Sequence, residues 1–208
     1  LKKVEVAELA DCGNTLAWWR DQGNPAPLML SMKELAEMSE SFPIEFHDLA
    51  ERRKVLFGED PIPAVPLDNR YYRVQVEHEL LAKFLRLRQR AAVALNDRGV
   101  LIDLMASSLS TFLLLIRHAL RVSGVQPEHS RRAALEQAGN FFGFDLECFS
   151  TLLALRDGKL RRGNVEPVGL LAQYIAAIDR VIDAVRANEG ETAPAAVVDS
   201  ERLATGDI

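Results

Sequence analysis

The sequence predicts a mainly α protein, a C-terminal helical bundle preceded by a small α/β segment. Three observations predict it. Beyond Asp68 the apolar residues recur at helical spacing almost without a break, whereas strand-like alternation is confined to short stretches before residue 50. Pro61, Pro63 and Pro66 fall within a few residues of one another and mark the boundary between the two parts. The expected organisation is an α/β segment over 1–60, a bundle over 67–188 and a loosely held tail over 189–208.

In the first part, Val6, Leu9, Ala10, Leu16, Ala17 and Trp18 give residues 4–22 a rough helical period, interrupted by Gly13 and ended by Gly23-Asn24-Pro25. Trp18-Trp19 on this segment suggests one ring packed inward and the other sealing an interface. Residues 27–30 read as a short strand. Ser31-Met32-Lys33-Glu34 has the form of a capping box, so a helix should run from there to about Met38. From Ile44 to Leu49 apolar and polar residues alternate, the period of a half-buried strand, with Pro43 tolerated at its start. Asp48 would then cap a helical turn over 51–57 that stops at Gly58.

The bundle should comprise helices at about 69–97, 100–123, 128–142, 145–156 and 166–188, with turns at Asp97-Arg98-Gly99, at Gly124-Val125-Gln126-Pro127 and over 158–163. The apolar run 105–116 is too short to span a bilayer and is closed by Arg117 and His118, so it reads as a buried helix with no membrane role. Asp145 and Glu147 suit the N-terminal turn of the helix that follows them. After 188 the chain turns to Gly, Glu, Thr, Ala and Pro, with one short helix expected at 195–203.

A net charge of −5 excludes whole-molecule attraction to nucleic acid or to an anionic membrane, so phosphate binding has to come from a local basic patch. Cys12 and Cys148 lie far apart, each in a helical segment, which fits reduced thiols and a cytoplasmic setting.

Such a patch exists on the first bundle helix. At about 100° per residue, Val76, Leu80, Phe84, Leu87, Ala91 and Leu95 form one buried face. Beside it Tyr72, Glu79, Lys83, Arg86 and Arg90 fall in a narrow band, since they are seven, four, three and four residues apart. Two readings follow: a solvated face with an ordinary Glu79–Lys83 pair, or a carboxylate base with three cations for a polyphosphate.

The stretch from Phe42-Pro43-Ile44-Glu45-Phe46-His47-Asp48-Leu49 through Arg53-Lys54-Val55-Leu56-Phe57-Gly58-Glu59-Asp60 resembles the last strand and exit of a minimal nucleotidyltransferase domain, as in the bacterial antibiotic nucleotidyltransferases. Val76-Glu77-His78-Glu79-Leu80-Leu81-Ala82-Lys83 and its continuation to Gln89 is similar to the first long helix of the helical domain that follows. The resemblance implies magnesium-dependent transfer of a nucleoside monophosphate from ATP or another nucleoside triphosphate to a hydroxyl acceptor. It implies Glu45 as a metal ligand, Glu79 as general base, and Lys83, Arg86 and Arg90 as nucleotide phosphate contacts. The family's Gly-Ser loop and Asp-x-Asp pair do not occur in residues 1–208 and would belong upstream of Leu1. The sequence also supports a second class, a non-catalytic helical interaction module that pairs with another protein or forms a homodimer through the apolar 101–116 helix.

Other candidates are weaker. His47, His78, His118 and His129 lack paired metal-ligand spacing and read as structural. Arg117-His118 and Arg121 with His129 do not fit the Arg-polar-(x)4-6-His ribonuclease pattern of related helical toxins, which argues against a ribonuclease. Arg156, Lys159, Arg161 and Arg162 form a basic turn that either contacts RNA phosphates or is simply solvated.

Overall fold

The computed structural model describes residues 4–65 and 71–187. Helices α1 (Val6–Asp21), α2 (Met32–Ser41) and α3 (Pro43–Arg52) precede the proline-rich loop, which holds a short 3-10 turn at Ile62–Ala64. The bundle contains α4 (Tyr72–Ala94), α5 (Arg98–Val122), α6 (Arg131–Phe142), α7 (Glu147–Arg156) and α8 (Pro167–Ala187), with a second 3-10 turn at Arg162–Asn164. The expected short helix at 195–203 and the tail lie outside the described residues.

The mainly α class holds, but the expected strands do not. No strand occurs among the described residues: 27–30 has no regular secondary structure, and the stretch read as alternating is the helix α3. Pro43 occupies its first turn, where a fixed φ and a missing N–H cost nothing. Helical geometry then gives α3 two faces. Ile44, His47, Asp48 and Glu51, spaced as neighbouring turns, all meet the bundle. Phe46 and Ala50, four apart on the other side, join Leu35, Ile62 and Val65 in a small second core. An alternating strand could not have placed 44, 47, 48 and 51 on one side. The separate helical turn expected at 51–57 is likewise absent, because α3 itself runs to Arg52 and residues 53–58 are irregular.

Ser31 caps α2 as predicted. The Glu34 N–H donates to Ser31 Oγ (3.2 Å), while the Ser31 hydroxyl (2.7 Å) and backbone N–H (2.7 Å) both donate to Glu34 Oε2 and hold that carboxyl below its ordinary range. In contrast, α1 buries none of its residues. Both tryptophans on it are exposed, Trp18 more than Trp19, and the Trp19 indole donates to Pro25 O (2.7 Å), so neither ring packs inward.

α5 is the centre of the bundle, packed against α4, α6, α7 and α8. By length and composition it could cross a membrane, and the run does not close at Arg117: both Arg117 and His118 continue the helix and are buried. The interior explains its apolar character, because Leu101, Met105, Leu109, Phe112, Ile116 and Leu120 fill the core with α4, α7 and α8. The same packing consumes the 101–116 face that had suggested a homodimer. From α4, Val76, Leu80, Phe84, Leu87 and Ala91 are buried as predicted, whereas Leu95 lies beyond the helix end and is exposed. Arg73 ties three helices together, donating to the terminal carbonyls of Val122 (2.8 Å) and Val185 (2.9 Å). Asp145 accepts from the Glu147 N–H (2.8 Å) at the start of α7, and α6 ends on Gly143 at φ +70, a left-handed position that suits glycine.

Candidate functional site

The charged stripe of α4 forms one wall of a real groove. Lys83, Arg86 and Arg90 face Ser107, Ser108 and Thr111 of α5 across a cavity of about 170 Å³, floored by Leu87, Leu104 and Phe112. Helical spacing supplies both walls, with cations at i, i+3 and i+7 on α4 and hydroxyls at i, i+1 and i+4 on α5. Arg86 and Arg90 are exposed and Lys83 is half-buried, so their charges are available to a solute.

Glu79 stands beside the groove rather than in it. Its carboxylate pairs with Lys83 Nζ at 3.4 Å, one turn along the helix. With three cations against one acid, this strip of α4 carries a local net charge of +2 in a chain whose net charge is −5. The groove is therefore an electropositive spot lined by hydroxyl groups, a combination suited to phosphate oxygens.

The hydroxyls are held at rest by their own helix. Ser107 Oγ donates to Leu104 O (3.0 Å), and Ser108 Oγ donates to Met105 O (2.9 Å) while sharing a 3.3 Å contact with the Tyr174 hydroxyl. Comparison with known proteins finds no match. No family model, characterised protein or solved structure is significantly similar to this chain. The chemistry of the groove has to carry the functional argument.

Two expected site residues lie elsewhere. Tyr72, placed by periodicity at the head of the stripe, is buried instead at the joint between α3 and the bundle. Glu45 is exposed in the first turn of α3, not on a strand beside other carboxylates. Among the described residues no group of three or more His, Cys, Asp or Glu side chains is placed to hold a metal ion. Glu45 is thus not joined there by the further carboxylates that the nucleotidyltransferase resemblance implies around magnesium.

The joint is a second polar constellation, which the sequence reading missed. The His47 ring stacks on Tyr72 (centroids 4.1 Å apart), and the Tyr72 hydroxyl lies 2.6 Å from His118 Nδ1. Burial, with Asp48 nearby, pushes the Tyr72 hydroxyl well above the ordinary phenol range, so it stays protonated and shares a hydrogen bond with Nδ1. The other ring nitrogen, Nε2, faces Asp48 Oδ1 at 3.4 Å without a well-formed hydrogen bond. Burial works to raise the Asp48 carboxyl, but His118, Arg52 and Arg117 outweigh it and hold Asp48 below its ordinary range. Around this centre Glu51 accepts from Arg121 and from Gln126 Nε2 (3.3 Å), with Arg117 at 3.7 Å. With Tyr72 3% and His118 2% exposed, the cluster is closed to substrate and acts as a fastening.

The cations of the basic turn after α7 make exposed surface contacts. Arg162 pairs with Asp103 (2.6 Å), Lys159 with Asp157 (3.5 Å), and Arg156 donates to Ser110 Oγ (3.0 Å). His78 and His129 are exposed, while His47 and His118 belong to the joint. Ser107, Ser108 and Thr111 fall within about one turn of α5, but nothing local to that stretch ties them to the basic face of α4.

Proposed function

We propose that this chain is a phosphate-handling helical protein of nucleotidyltransferase-like type, in which the α4–α5 groove holds the phosphates of a nucleotide. The observation that carries the reading is the pairing of three cations with three hydroxyls across one small groove. Lys83, Arg86 and Arg90 contact the phosphate oxygens, and Ser107 and Thr111 donate to them from the facing wall. Glu79 positions Lys83; its charge is engaged at 3.4 Å, which suits orientation better than proton abstraction. In an enzyme of this type the phosphates belong to a nucleoside triphosphate that transfers its nucleoside monophosphate to a hydroxyl acceptor and releases pyrophosphate. Free thiols at Cys12 and Cys148 suit the cytoplasm, where such nucleotides are found.

Calorimetry with ATP tests this, in magnesium and again in EDTA. Binding persists in EDTA, because protein cations rather than a metal neutralise the phosphates, and metal-free triphosphate is the more highly charged ligand. Lys83→Ala weakens it by about 5- to 30-fold, the loss of one charged contact worth roughly 1–2 kcal/mol. Unchanged affinity in that variant refutes the role.

A second reading is favoured by a different observation. α1 buries none of its residues, and Leu56 and Phe57 are 85% and 99% exposed on the loop after α3. Apolar surface of this kind supports an interaction module that docks another protein or a second copy. Sedimentation of the chain with and without Phe57→Ser tests it: a monomer in both cases excludes self-association through this loop.

A further inference from the structure

A cavity that encloses a drug-sized ligand measures roughly 300–1,000 Å³. The α4–α5 groove, at about 170 Å³, is smaller than that, so a nucleoside has no room inside it. Nor does the lining offer a carboxamide or carboxylate for a base edge beside the cations and hydroxyls assigned to phosphate. It contains no Asn, Gln, Asp or Glu to match hydrogen-bonding edges. Its one aromatic ring, Phe112, is 1% exposed and set edge-on against Tyr174 (5.7 Å, 86°), so no ring face is open for stacking.

What the groove does offer is a row of charge. From Lys83 to Arg90 the helix advances by seven residues, about 10 Å, with Arg86 between. A linear polyanion matches that row better than a single anion does. The hydroxyl wall can turn to meet it cheaply. Swinging Ser107 Oγ away from Leu104 O leaves that carbonyl with its helical N–H partner, so no buried group is orphaned.

We infer that this site recognises a chain of phosphates and is blind to the base, taking inorganic tripolyphosphate and any nucleoside triphosphate alike. The inference rests on the phosphate-groove reading above and narrows it: the base lies outside the groove, in solvent. Selectivity then comes from the number of phosphates, because each added phosphate reaches a further cation.

The test is calorimetry on the full chain in EDTA with tripolyphosphate, ATP, GTP, CTP, UTP and AMP as probes. Tripolyphosphate and the four triphosphates are expected to agree within about threefold, and AMP to bind at least about tenfold more weakly. Arg86→Glu, a change at an exposed helix position whose folding is checked by circular dichroism, lowers tripolyphosphate and ATP affinity by the same factor, more than about tenfold. A spread above about tenfold among the four nucleotides, or ATP binding that tripolyphosphate cannot displace, overturns base-blindness and leaves the phosphate reading standing. Absence of binding by every probe overturns both, as does tripolyphosphate binding that Arg86→Glu leaves unchanged.

Discussion

Tyr72→Phe isolates the fastening between α3 and the bundle. The substitution removes one oxygen atom and keeps the ring, so the 4.1 Å stack on His47 and the burial of the side chain survive. What disappears is the hydroxyl 2.6 Å from His118 Nδ1, on a residue that is 2% exposed. An unmatched buried polar atom costs about 1–3 kcal/mol, more than the net worth of the hydrogen bond itself. Urea unfolding followed by far-UV circular dichroism reads this directly. With a slope near 2 kcal/mol per M, the midpoint falls by about 0.5–1.5 M. The second leg is a double-mutant cycle with His118→Ala. Partners in direct contact couple by about 0.5–3 kcal/mol. Additive effects of Tyr72→Phe and His118→Ala would falsify the fastening, whatever the single variants do.

The other expectations concern the same joint and the two thiols. Asp48 has its folded-state carboxyl held below the ordinary value, so its stabilisation is fully present above the unfolded value, about 3.9, and is lost as pH falls through the folded one. Asp48→Asn therefore lowers the melting temperature at pH 7 and flattens the loss of stability below about pH 4, and an unchanged acid limb in the melting curves removes Asp48 from the account. Burial pushes the Cys148 thiol up to about 12, while Cys12 is half-buried on α1. Mild alkylation of the native chain should label Cys12 first and reach Cys148 only on unfolding; mass spectrometry showing equal early labelling contradicts the packing of α7.

How much of this was legible in the sequence depends on how far each apolar pattern runs. The bundle helices were, because their apolar residues recur at helical spacing over long runs, and Val76, Leu80, Phe84, Leu87 and Ala91 on α4 are all buried. The Ser31 cap was legible because its chemistry is local, complete within four residues. α3 was not, since it buries two opposite faces, Ile44 with His47 toward the bundle and Phe46 with Ala50 toward the small core. Two buried faces on a ten-residue helix imitate alternation. At the candidate site the cations were legible from their spacing, but the hydroxyls were not, because seeing them required knowing that α5 returns antiparallel alongside α4. The Tyr72–His118 pair, 46 residues apart, is a tertiary contact that no local period announces.

Groove and fastening occupy the same helix pair at different heights. From Thr111 to His118 α5 advances seven residues, about 10 Å, and from Tyr72 to Lys83 α4 advances eleven, about 16 Å. Between them lie fully buried side chains such as Val76, Leu80 and Ile116, which set the spacing of the two helices independently of α3. Coupling over such a distance needs an element with two discrete arrangements, and a close-packed apolar layer is a poor one. The groove geometry thus belongs to the bundle alone. Loosening α3 by Tyr72→Phe should lower stability while leaving tripolyphosphate affinity where it was. If the affinity falls with it, the α3 segment reaches the groove by a route other than the core between them.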